Sequence, residues 1–64
     1  MNIDVKKIVV ARIRAGLSLV ELAEKTGVNR TTLSKIEKGY QKPKAQTINK
    51  LVNALNIKLE DIIQ

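Results

Sequence analysis

The sequence predicts an all-α fold, a bundle of five short helices in a single domain, and three observations carry that expectation. Apolar residues recur at three- and four-residue intervals in successive segments, the spacing that gathers side chains on one face of a helix. The first three segments start at residues able to cap helical amides, and several segments end at Gly or Asn, which accept the left-handed turn that closes a helix. Nowhere do apolar and polar residues alternate strictly between turn residues, so strand signals are absent.

The first helix is expected from about Val5 to Ala15, capped by Asn2 or Asp4, with Val5, Ile8, Val9 and Ile13 as its buried stripe and Gly16 as its stop. The second has the clearest start in the chain. Ser18-Leu19-Val20-Glu21 reads as a capping box, in which hydroxyl and carboxylate each satisfy the other residue's amide, and Leu17 and Leu22 occupy the positions of a hydrophobic staple. This helix should stop near Thr26-Gly27. Asn29 caps a third helix, Val28 and Leu33 can form a second staple, and Gly39 closes the helix after Lys38. Lys42-Pro43 breaks the chain again. A fourth helix follows from about Ala45 to Leu55, with Ile48, Leu51, Val52 and Leu55 on one face and Asn56 at its close. A last turn or two, from about Leu59 to Ile63, carries Leu59, Ile62 and Ile63.

A chain of 64 residues makes one domain with a small core, because a short chain buries a smaller fraction of its surface than a long one. There is no cysteine, hence no disulfide framework and no thiolate metal site, which suits a reducing compartment. The longest apolar run, Ile8 to Ala11, is far too short to span a bilayer, and the N-terminus lacks the pattern of a secretory signal. The expectation is a cytoplasmic protein without a membrane partner.

Composition also narrows function. With neither histidine nor cysteine, acid–base and nucleophilic chemistry near neutral pH lack their usual residues, and no glycine loop could cradle a phosphate. No catalytic residue, metal ligand or cofactor is assigned. One aromatic residue cannot build a stacking platform for single strands or RNA. The net charge of +6 is unevenly placed: Lys25, Arg30, Lys35, Lys38, Lys42, Lys44 and Lys50 stand in the middle of the chain against Glu37 alone. A charge run by itself is most often a solvated face; here the concentration suggests one basic surface turned toward a polyanion.

Two helices joined by about three residues, Gly27 to Asn29, with Ala23, Gly27, Leu33 and Ile36 at their observed offsets, have the spacing of a helix-turn-helix. Over roughly residues 5–63 the chain resembles the Cro/phage-repressor type of helix-turn-helix domain, the XRE family. The likeness is carried by Gly16-Leu17-Ser18, Glu21-Leu22-Ala23, Thr26-Gly27-Val28, Leu33 through Gly39, Pro43 and the stretch from Leu51 to Leu55. It implies a five-helix bundle with the helix-turn-helix formed by helices 2 and 3, bacterial or phage origin, and transcriptional control, expected to be repression, by binding a double-stranded operator.

In such a domain the third helix enters the major groove with its leading residues at base edges. Arg30, Thr31, Ser34 and Lys35 are the expected base contacts. Arg30 can donate two parallel hydrogen bonds to guanine, worth about 1–3 kcal/mol of discrimination, whereas Lys35 is a flexible point charge and a less exacting reader. The expected phosphate contacts are Ser18, Leu19, Asn29, Thr32, Lys38, Tyr40, Lys42 and Lys44, which set register without reading sequence. For Thr32 helix-start chemistry is the favoured role over a phosphate contact, whereas Tyr40 equally caps packing.

The chain departs from the family at two positions. Leu19 stands where many relatives have Gln, so backbone anchoring there should weaken or be compensated by Ser18 and Arg14; Lys44 stands where relatives often have a hydroxyl cap. Glu37, the lone acid among the central cations, is expected by the resemblance to pair with Arg12. Ile57, Leu59, Ile62 and Ile63 are divided between monomer core and a two-fold homodimer contact suited to a palindromic operator. The rival reading is an antitoxin- or anti-repressor-type module that binds a protein partner through the same fold.

Overall fold

The computed structural model describes residues 2–64. Four α-helices follow one another: α1 (Val5–Arg14), α2 (Leu19–Thr26), α3 (Arg30–Glu37) and α4 (Ala45–Leu55). The fifth helix expected from the sequence is instead a single 3₁₀ turn, Leu59–Asp61. Its brevity has a backbone cause. The Asp61 carboxylate accepts from the Lys58 N–H at 2.9 Å, curling the chain once. Beyond it the strand-like end pairs with the N-terminus: Asp4 N–H donates to the Ile62 carbonyl at 2.8 Å, and Gln64 N–H to the Asn2 carbonyl at 3.0 Å. An isolated antiparallel bridge between Ile3 and Ile63 lies between these bonds. Backbone groups committed to residues 2–4 are not available to extend a helix.

The helix boundaries follow local chemistry. Asp4, rather than Asn2, caps α1, its carboxylate accepting from the Lys6 N–H at 3.1 Å. At the other end Gly16 adopts φ 72°, and Leu17 N–H reaches back to the Arg12 carbonyl at 3.1 Å. A non-glycine residue would meet Cβ–carbonyl crowding in this conformation. Ser18 and Glu21 form the reciprocal capping box at 2.9 and 3.1 Å. The Thr26 hydroxyl donates to the Leu22 carbonyl at 2.8 Å and accepts from Val28 N–H at 3.1 Å, turning the chain sharply between α2 and α3. Asn29 then starts α3 by accepting from the Thr31 N–H at 2.7 Å.

Ile8, Leu22, Leu33, Leu51 and Ile62 are fully buried in one cluster, drawing every helix and the terminal segment onto one core, and Ile36 of α3 is buried as well. Each such side chain contributes about 1.5–3 kcal/mol of burial, opposed by chain entropy. Leu17, Val28, Ile57 and Leu59 pack against this core from its edge. Ile13 does not join it. Although assigned to the buried stripe of the first helix by spacing, it is 63% exposed. At 3.6 residues per turn it sits about 140° around α1 from Ile8, and the inward arc at that end is taken by Arg12.

Candidate nucleic-acid interface

α2 packs on α3, and α3 also rests on α1, so the helix carrying Arg30 to Glu37 is supported along its apolar side by Leu33 and Ile36. Its other side faces solvent. Arg30, Thr31 and Lys35 are exposed and Ser34 is half-buried. These four, with Leu19 from α2 and Lys38 and Tyr40 after α3, line one open depression. Neither Arg30 nor Lys35 has an ion-pair partner among the described residues, where the single salt bridge is Arg12–Glu37. Two free cations beside two hydroxyls form a donor-rich surface of the kind that engages base edges and phosphate oxygens.

Tyr40 is held at the rim by the closure of α3. Gly39 takes φ 79°, and Tyr40 N–H donates to the Lys35 carbonyl at 2.8 Å, which projects the phenol outward at 77% exposure. The phenol therefore does not cap the core. Leu19 places an apolar surface between the cations of the depression and the core, against which it packs.

The remaining phosphate candidates are more scattered. The Ser18 hydroxyl oxygen and the Asn29 side-chain oxygen accept from helix amides and the Ser18 N–H is taken by Glu21, which leaves the Ser18 O–H and the Asn29 side-chain N–H groups as the donors for an outside acceptor. Thr32 is half-buried and outside the depression. Lys42 opens onto a different hollow, shared with Ile3, Gly39 and Pro43, and exposed Lys44 starts α4 without a side-chain cap. Arg14, invoked as compensation for Leu19, lines another surface altogether with Lys6, Lys7 and Val10, and shares no depression with Leu19.

Behind the site, Arg12 and Glu37 are joined by two bonds: Nε to Oε2 at 2.7 Å and Nη2 to Oε1 at 3.1 Å. Arg12 Nη1 also donates to the Leu17 carbonyl at 2.8 Å, a contact that nothing in the sequence points to. The pair ties the end of α1, the start of α2 and the end of α3 together. The hydrogen bond to Glu37 holds the guanidinium proton more firmly than usual, outweighing the opposing effect of burial. At the start of α2, the Ser18 N–H and hydroxyl pull the Glu21 carboxyl below its ordinary range.

Among the terminal apolar residues, Ile62 is wholly within the core and offers no surface to a partner. Ile57 opens onto the α1 side of the molecule, whereas Leu59 borders a small apolar hollow on α4 with Ile48 and Val52. Ile63 is half-buried at its bridge to Ile3. No group of side chains among the described residues could hold a metal ion, and no described helix is long and apolar enough to cross a membrane.

A short α2, a three-residue turn and a supported α3 with a cationic outer face define a helix-turn-helix protein. The Helix-turn-helix family model matches residues 10–62, and the chain belongs to this family, in its Cro/phage-repressor (XRE) branch. The chain is similar to uncharacterized HTH-type transcriptional regulators of two Mycobacterium tuberculosis strains, 37% identical over 49 residues covering 77% of this chain. It spans about a third of those relatives, 35% of their length. An uncharacterized HTH-type transcriptional regulator of Archaeoglobus fulgidus is 35% identical over 51 residues, covering 80% of this chain and 73% of the relative.

Proposed function

We propose that this chain binds a double-stranded operator by laying α3 in the major groove, and that it represses transcription by occupying that site. The observation that carries the reading is the grouping of Arg30, Thr31, Ser34 and Lys35 on one open face, with Lys38 and Tyr40 at its rim and no internal partner for either leading cation. Arg30 reads a guanine through its paired donors. The Thr31 methyl suits a thymine methyl and its hydroxyl a base edge. Lys35 adds a second, less directional donor one turn along. Ser18, Leu19, Asn29, Thr32, Lys38, Tyr40, Lys42 and Lys44 meet the flanking sugar–phosphate, Leu19 by contact alone. Two chains act on a palindromic site, joined through the apolar hollow beside Leu59 together with the exposed part of Ile63.

Selection of binding sites from random duplexes at two salt concentrations tests this. A palindromic consensus containing guanine is expected. If about four phosphates are engaged per chain, log K falls against log salt with a slope of about −3.6, and roughly double that for a dimer. Arg30→Ala with Lys35→Ala should abolish selection. Equal recovery of all sequences would reduce the protein to a non-specific coater. Should the double variant keep its DNA affinity and lose a protein partner, the antitoxin-type reading would replace this one.

A further inference from the structure

A second surface, sharing no residue with the DNA-facing depression, runs between α1 and the end of the chain. Along α1, Lys6, Val10 and Arg14 form one row at four-residue spacing, and Lys7, Ala11 and Ala15 the row beside it. The two alanines make the second row a trough. Val10 stands at its edge, 45% exposed. Lys6, Lys7 and Arg14 surround it, with Asp61 as the one carboxylate among the lining residues. Two copies facing each other through this surface about a two-fold axis would bring like charges together. Its occupant must therefore be an acidic face with an apolar side chain.

The chain carries such a face. Val20 on α2 is 50% exposed, Glu24 follows one turn later, and Glu21 lies between them. Glu21 is drawn back to the Ser18 N–H and has Lys25 one turn along, so of the two acids on this face Glu24 is the one with no hydrogen-bond or ion-pair partner among the described residues. The large apolar side chains exposed among those residues are Val10, Ile13, Val20 and Tyr40. Tyr40 borders the proposed DNA site, while Val10 and Val20 lie in faces of opposite charge.

We propose that Val20 and Glu24 of one copy seat on the α1 trough of a second copy, with Val20 over Val10 and Ala11 and Glu24 against Arg14 and Lys7. Because the two faces are different surfaces of the chain, the contact is head-to-tail and leaves one of each free at the ends. The Arg30–Lys35 face stays open. Only a few side chains meet, so the contact is weak between free molecules. It gains force when neighbouring sites on one duplex hold copies together at high effective concentration. That last consequence rests on the DNA-binding reading; the contact itself does not, and its test uses no DNA.

Sedimentation equilibrium of the full chain at about 0.1 M and about 1 M salt separates ionic contacts from apolar ones, since screening shortens from about 10 Å to about 3 Å. The species that persists at high salt, monomer or two-fold dimer, is the baseline. At low salt the mass should rise with concentration and exceed about twice the baseline, because a head-to-tail contact does not close at two units. Glu24→Lys and Arg14→Glu should each abolish the rise while keeping the wild-type helical circular dichroism. An equal mixture of the two, and the double charge-swapped variant, should regain it. Val20→Ala and Val10→Ala, which leave the charges alone, should weaken it. A low-salt mass fixed at the baseline overturns the proposal, as does growth that survives the single charge changes. A plateau at twice the baseline overturns the head-to-tail geometry.

Discussion

Replacing Arg12 with Leu withdraws three hydrogen bonds at once, two from the Glu37 carboxylate and one from the Leu17 carbonyl. The Arg12 and Glu37 side chains are only 16% and 12% exposed, so water replaces the lost donors poorly. Removing one partner of a fully buried pair costs about 3–5 kcal/mol, mostly for the charge left behind. The residual exposure here lowers the expected cost of Arg12→Leu to about 2–4 kcal/mol. A chain of this size is stable by about 3–10 kcal/mol in total. The melting temperature should therefore fall by about 10–30 °C. Glu37→Leu should cost a comparable amount, since it strands a guanidinium. The double variant Arg12→Leu with Glu37→Leu should cost only about 1–2 kcal/mol, because no charge is left unpaired and the Leu17 carbonyl alone lacks its donor. Urea unfolding of all four proteins, followed by helical circular dichroism, gives the coupling directly. If the two single costs add to the double within about 0.5 kcal/mol, the pair is no cooperative clamp and the reasoning fails.

Glu21 supplies a pH dependence of known sign. Its carboxyl lies below its ordinary value in the folded chain and returns to about 4.3 when unfolded, so its contribution to stability is complete above that value and disappears as pH falls through and below it. Urea midpoints measured from about pH 6 to pH 3 should decline less steeply in Glu21→Gln than in wild type; equal slopes would show that the capping carboxylate does not matter. The two isoleucines of α1 should differ sharply: Ile8→Ala costs about 2–5 kcal/mol by opening a core cavity, while Ile13→Ala stays within about 0.5 kcal/mol. A destabilisation by Ile13→Ala equal to that of Ile8→Ala would contradict the packing of α1.

The candidate interface was legible in the sequence wherever one short segment carries it. Arg30, Thr31, Ser34 and Lys35 fall on one side of a single helix, so their shared face follows from helical spacing once Asn29 is seen to start that helix. Lys42 and Lys44 illustrate the opposite case. They lie between α3 and α4, where helical spacing implies no direction, and Lys42 lines a hollow with Pro43 and Ile3 outside the depression that holds Arg30 and Lys35. Arg14 similarly looked available to the start of α2, but the rotation of α1 on the core places it beside the hollow that Lys7 and Val10 also line.

What the sequence alone determined was local: the starts at Ser18 and Asn29, the left-handed closures at Gly16, Gly39 and Asn56, and the apolar face of α4, each set by groups within a few residues of one another. Tertiary structure decided the rest. It chose Arg12 over Ile13 for the inward arc of α1, drew Arg12 onto the Leu17 carbonyl, and buried Ile62 while leaving Ile57 and Leu59 beside two different hollows. It also replaced a fifth helix by a single turn, because residues 62 and 64 found backbone partners at residues 2 and 4. Those partners lie almost a whole chain length away, and no pattern confined to neighbouring residues encodes which distant surface a side chain or a carbonyl will meet.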